Sequence, residues 1–171
     1  MIKGFVIGVA LAFCVVIGGA YAFIAMGMFP VGADNAPGTI ERTLSHRAVN
    51  AYVERHAERA ANPVQITSAA LSEGAREYEE HCALCHGGAH QRISSLRYKF
   101  SPPVPQIINR VPHDEEYRLF WVTKHGTRMT GMPAWDGILT DEQMWKIIAF
   151  VKRSNQLPPE VQQAWVGQPQ R

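Results

Sequence analysis

The sequence predicts an all-α protein, with one small helical domain behind an N-terminal transmembrane helix and a juxtamembrane helix. Three observations carry this expectation. An uncharged run extends from Gly4 to Phe29. Further on, apolar residues recur at helical spacing in several stretches bounded by capping residues or by Gly and Pro. One of those stretches closes on the pentapeptide Cys82-Ala83-Leu84-Cys85-His86.

Composition limits the possibilities. Of 171 residues, 46% are hydrophobic and 19% charged. The first thirty residues take much of the apolar content, which leaves material for one small domain and an approach segment. Lys plus Arg number 17 and Asp plus Glu 15, and from Thr67 onward the counts are twelve and eleven. Nucleic-acid binding needs a concentrated basic face, and this balance lacks one. The expected division is residues 1–33 as a transmembrane anchor, 34–66 as neck and juxtamembrane helix, 67–157 as the main domain and 158–171 as a tail.

As a helix, the 26 residues from Gly4 to Phe29 reach about 39 Å against a hydrocarbon core of about 30 Å. A cleaved secretory signal is the alternative, with Ala20-Tyr21-Ala22 in the A-x-A form of a cleavage site. Against cleavage, the apolar run continues through Phe23, Ile24 and Met26 to Phe29. A lipoprotein signal ending at Cys14 fails because bulky Phe13 stands where a small residue is needed, so Cys14 reads as a packing residue of the span. Lys3 is the only charge before the run, which keeps the amino end in the cytoplasm and exports the body of the chain.

Pro30, Gly32, Pro37 and Gly38 mark an irregular neck. A helix is then expected from about Thr39 to Ala61, stopped by Asn62-Pro63. Ile40, Leu44, Ala48 and Tyr52 recur every fourth residue, with Val49 and Val53 alongside. This helix is either a solvated spacer packed on the domain or a docking surface for a membrane partner. His46 and His56 read as surface residues.

Thr67-Ser68 caps a helix expected from about Ala69 to Cys82, with Leu71, Gly74, Tyr78 and Cys82 on one face. Gly74 inside a helix costs about 1 kcal/mol relative to alanine, so the close approach of another helix is expected there. The helix closes on the Cys-x-x-Cys-His motif, the attachment site of a c-type haem. Two thiols at this spacing form thioethers to the two vinyl groups, and His86 supplies the proximal nitrogen of the iron. Without the histidine, a thioredoxin-like, zinc or disulfide reading would compete. A zinc site needs further ligands, and Cys14 is the only other cysteine.

The loop Ser101-Pro102-Pro103-Val104-Pro105 offers stiff chain to wrap a haem edge. His90 reads as exposed. A helix is expected from Asp114 to His125, stopped by Gly126, with Tyr117, Phe120, Trp121 and Val122 as a core stripe. In Thr127–Trp135, Met132 stands between Gly131 and Pro133, which allow close backbone approach and fix chain direction. Its soft thioether suits a distal iron ligand, whereas Met129 fits a plain packing role. The last helix opens with the capping box Thr140…Gln143 and runs to about Asn155. The tail holds one short helical turn around Trp165.

Cys82-Ala83-Leu84-Cys85-His86-Gly87 after a Gly74-x-x-x-Tyr78 helix resembles a class I cytochrome c, as does Thr130-Gly131-Met132-Pro133-Ala134-Trp135 before a capped helix. The likeness covers about Thr67 to Gln156 and is nearest to the membrane-anchored, single-haem bacterial type. It implies a class I cytochrome c fold with first and last helices crossing near Gly74 and Phe150. It also implies Cys82 and Cys85 as haem attachment sites, His86 and Met132 as axial ligands, and Trp135 near a propionate. The stretch from His90 to Val111 departs from the family pattern, and Pro103 is the guess for the carbonyl that orients His86.

The function expected is an electron carrier, not an enzyme, with one covalent heme c and its iron. It is held in the bacterial cytoplasmic membrane by residues 4–29, with the haem domain on the periplasmic side. Its partners are redox proteins or a membrane oxidoreductase complex, with no nucleic acid and no small-molecule substrate. The alternatives are a haem-bearing subunit of a larger respiratory or photosynthetic oxidoreductase, and a haem enzyme or gas sensor with a displaceable sixth ligand.

Overall fold

A computed structural model of the chain describes residues 2–167. Its helices are α1 (Ile2–Ala25), α2 (Thr39–His56), α3 (Ser68–His81), α4 (Ala83–His86), α5 (Glu116–His125), α6 (Asp141–Arg153) and α7 (Pro159–Val166). Among the described residues there is no strand, only an isolated bridge between Asp136 and Leu139. The fold is all-α, as the periodicity predicts. The chain divides into two compact units, Met1–Asn35 and Ala36–Arg171.

The first unit is dominated by α1, which buries none of its residues. It is the one helix among the described residues long and apolar enough to cross a membrane. At 24 residues it is about 36 Å long. Cys14 lies exposed along it.

The second unit is built on the crossing of α3 and α6. Thr67 caps α3 by accepting from the Ala70 N–H, and Thr140 with Gln143 forms the capping box of α6. The expected crossing at Gly74 is present. A Cβ on Gly74 would stand 2.2 Å from the Lys146 carbonyl oxygen and 3.1 Å from Cβ of Phe150. Below it, Tyr78 and Phe150 bury completely with ring centroids 5.5 Å apart. Ile108, Met144 and Val161 are fully buried in the same cluster. Because the obstruction at Gly74 is backbone rather than a mobile side chain, no rotamer change relieves it. Gly74→Ala is expected to destabilise the domain by about 1–3 kcal/mol, the range for overpacking. Denaturant unfolding checks this, and a loss below about 0.5 kcal/mol, the scatter of neutral surface changes, refutes the packing account.

Several expectations about element bounds and packing need correction. The helix expected from Thr39 to Ala61 ends at His56, five residues early, and Ala57 is already extended. The chain is drawn along the domain instead, because the Asn62 amide donates to Glu116 (2.8 Å) and to the Trp145 carbonyl (3.2 Å). The apolar stripe of α2 also packs only at its end. Val53 is 2% exposed, but Ile40 is 77% exposed, and the attachment to α5 is largely polar. Arg118 of α5 donates to Glu54 (2.7 Å) and Asn50 (3.2 Å), and Tyr52 meets Trp121 at 5.7 Å.

In α5, which starts at Glu116 rather than Asp114, the stripe is half-buried rather than core. Phe120 stacks on Trp145 at 4.2 Å, while its neighbours reach the rim. The tail is a true helix of eight residues rather than a single turn, because Val161 and Trp165 lie four apart and bury against α3. The last four residues of the expected tail, 168–171, lie outside the described residues.

Candidate haem-binding site

The Cys-x-x-Cys-His motif folds as one tight turn. Cys82 ends α3 and begins α4, and its carbonyl accepts from the N–H groups of Cys85 (3.2 Å) and His86 (2.9 Å). Residues three and four apart on a helix are neighbours, so Cys82 lies beside both Cys85 and His86 in this turn. The two cysteines form no disulfide.

Cys82 is buried, and that burial is the main cause pushing its thiol pKa up to about 12, helped by Cys85 and Glu79. At neutral pH it is therefore a thiol. Disulfide exchange and zinc binding both want a thiolate. Among the described residues no three His, Cys, Asp or Glu side chains cluster to hold a metal ion. The lack of a third such ligand beside the cysteines weighs against a structural zinc site, which needs four.

His86 is oriented by a loop distant in sequence. Its Nδ1–H donates to the Pro105 carbonyl at 2.8 Å, which settles the tautomer and leaves the Nε2 lone pair free for a metal. Burial lowers the His86 pKa, with the Pro105 bond working against it. That direction favours the neutral ring, the form that can ligate iron. Pro103, the sequence-based guess for this carbonyl, is wrong by two residues. The loop's register depends on contacts that periodicity does not encode. Gln106 donates to the Cys85 carbonyl (3.0 Å) and accepts from the Ser94 N–H, and the Ser94 hydroxyl donates to the Leu84 carbonyl. Together these residues clamp the motif's backbone. Gln106 and Ser94 are the supporting residues that sequence reasoning missed, and no composition or spacing signal pointed to them. His90 is exposed, as expected.

The methionine loop is held from below by Gly126. That residue ends α5 at φ +66°, and a Cβ there would lie 2.6–2.8 Å from the Met132–Ala134 backbone. Only glycine meets both demands. The Thr130 hydroxyl accepts from the Met132 N–H at 3.0 Å, and the Met132 carbonyl accepts from Thr127 at 3.2 Å. The two methionines differ sharply. Met132 is half-buried with its backbone pinned, while Met129 is 90% exposed at φ +60°. Phe100 packs its ring against Gly131, where a Cβ would meet it at 2.4 Å. The proline-rich stretch thus reaches the histidine through Pro105 and the methionine loop through Phe100.

A test of fit comes from Trp135. Its indole ring sits 5.2 Å from His81, and its Nε1–H is buried with no hydrogen-bond partner among the described residues. A buried donor left alone costs about 1–3 kcal/mol. A haem propionate beside it would satisfy the donor. Two cysteines, an imidazole with Nε2 available, a pinned thioether and an orphaned indole N–H fit a haem c.

Residues 69–151 match the model of a family described as cytochrome C oxidase, cbb3-type, subunit III. No curated protein matches the chain.

Proposed function

Since residues 69–151 form a class I cytochrome c domain, we propose that this protein is a membrane-anchored carrier of single electrons. Cys82 and Cys85 would attach one haem c, and His86 and Met132 would ligate its iron. Residues 1–33 are the anchor, 34–66 the neck and juxtamembrane helix, and 67–157 the cytochrome domain, on the periplasmic side of a bacterial inner membrane. The observation that carries this reading is the His86 Nδ1–H on Pro105, which presents Nε2 from the same turn as the two cysteines.

When bound, haem c supplies the ferrous–ferric couple. The chain's own residues set how that couple is used. Pro105 fixes the His86 ring, so the chain itself would hold that ligand in one orientation. Met132 offers a neutral, soft sulfur, which favours the ferrous form and raises the potential. Leu84, 75% exposed between the two cysteines, leaves that edge of the motif open to a partner. The neighbouring segment carries Arg92, Arg97, Lys99 and Arg110, with no carboxylate between Glu80 and Asp114. That charge suits a partner with an acidic surface.

A second reading, a stable haem subunit of a larger oxidoreductase, is favoured by the family description and by the exposed outer face of α2. One preparation tests both. Membranes are washed at alkaline pH, solubilised in mild detergent and purified on a tagged chain. The carrier reading expects the haem protein to survive the wash with an intact mass that includes residues 1–22. It also expects reversible one-electron titration, and reduction by an acidic partner that slows as salt rises. A mass beginning at Phe23 in a soluble fraction overturns the anchor. Stoichiometric co-purification of other redox subunits selects the second reading.

A further inference from the structure

We propose that α7 latches the haem-bearing turn through a Trp165–Glu79 pair, with both residues acting as positioning residues for the haem. The proposal rests on the haem reading above, but α7 lies outside the family-matched residues 69–151. The latch therefore belongs to this chain's own tail.

The contacts form a continuous path. The segment Gly87-Gly88-Ala89 leaves directly from His86, and two side chains of α3 hold it. The Tyr78 hydroxyl donates to the Gly87 carbonyl at 2.7 Å, and Glu79 Oε1 accepts from the Ala89 N–H at 2.7 Å. Gly88 lies so close that a Cβ there would stand 2.6 Å from Glu79 Oε2. The same Oε1 also accepts from the Trp165 indole N–H.

Trp165 is 3% exposed and meets Phe150 edge-on at 5.1 Å, and Phe150 in turn packs on Tyr78. The start of α7 is fixed to the start of α3 by the Ser68 hydroxyl donating to Glu160 (2.6 Å). A carboxylate side chain has several rotamers and would otherwise be free to swing toward water. The indole and the Ala89 N–H share one carboxylate oxygen, so the donor on Trp165 holds the side chain where it serves Ala89.

The pair has two electrical consequences of opposite sign. A negative charge beside the motif favours ferric over ferrous iron. Trp165 disperses part of that charge by donating to it. Trp165→Phe keeps the aromatic plug but removes the donor, so the potential should fall. Glu79→Gln removes the charge but keeps a carbonyl oxygen that accepts from Ala89, so the potential should rise.

The experiment uses the full-length protein in detergent and measures amide hydrogen exchange at Ala89 with the midpoint potential. In Trp165→Phe, Ala89 should exchange about tenfold faster, the scale of one lost charge-assisted hydrogen bond, and the potential should drop. In Glu79→Gln, exchange should change less and the potential should rise. Unchanged protection of Ala89 in Trp165→Phe overturns the latch. Potentials that move in the same direction in both variants overturn it too, because general loosening of the domain predicts that pattern. Loss of haem from the parent protein would instead refute the haem reading, and Ala89 exchange would still report on the latch.

Discussion

Replacing Cys82 and Cys85 together by serine is expected to abolish covalent haem. On a denaturing gel the parent chain should carry peroxidase-type haem stain at its own mass, and the double variant should carry none. The effect is all or nothing because a thioether survives denaturation and axial bonds do not. Either single variant keeps one thioether and should retain some stain. The serine at position 82 enters a buried site next to Tyr78, so the double variant also needs a check of helical content by circular dichroism. A folded double variant that still stains defeats the covalent reading entirely.

The second large effect concerns the sixth ligand. Met132→Ala should remove the weak far-red band of sulfur-to-iron charge transfer in the ferric protein. It should also lower the potential and open the iron to carbon monoxide. Axial ligands tune haem potentials over a span of about 0.8 V, so the fall should be plain in any redox titration. Met129→Ala should change none of these, because Met129 points into solvent from a backbone at positive φ. If Met129→Ala abolishes the band and Met132→Ala leaves it, the assignment is reversed. If the parent protein binds carbon monoxide readily, the sixth position is open, and a sensor or enzyme becomes the better reading.

Much of this protein is legible in the linear sequence because its signals are local. A run without charge specifies a helix that suits lipid. Thr67 and Thr140 announce helix starts through side chains that reach only three residues along. Cys82, Cys85 and His86 carry their chemistry in one turn, so no knowledge of distant chain is needed to read it. Gly74 announces a close helix crossing because nothing local justifies a glycine inside α3, and the Lys146 carbonyl proves to be the reason.

Only the tertiary structure could decide the contacts between segments far apart in sequence. The carbonyl that orients His86 comes from Pro105, nineteen residues on. Which of three neighbouring prolines supplies it depends on how Gln106 and Ser94 seat the loop on the motif. Helical periodicity continues past His56 and so overstates the length of α2, while the side chain of Asn62 pulls the adjoining chain onto Glu116 and Trp145. The tail looks featureless in sequence for the same reason. Trp165 acquires its place only when Phe150 and Glu79, fifteen and 86 residues earlier, are brought beneath it. Local patterns determine which residues form helices and which turn holds the Cys-x-x-Cys-His motif. Pairing across the fold determines how that turn is held, because such a contact exists only once packing has brought both partners to one place.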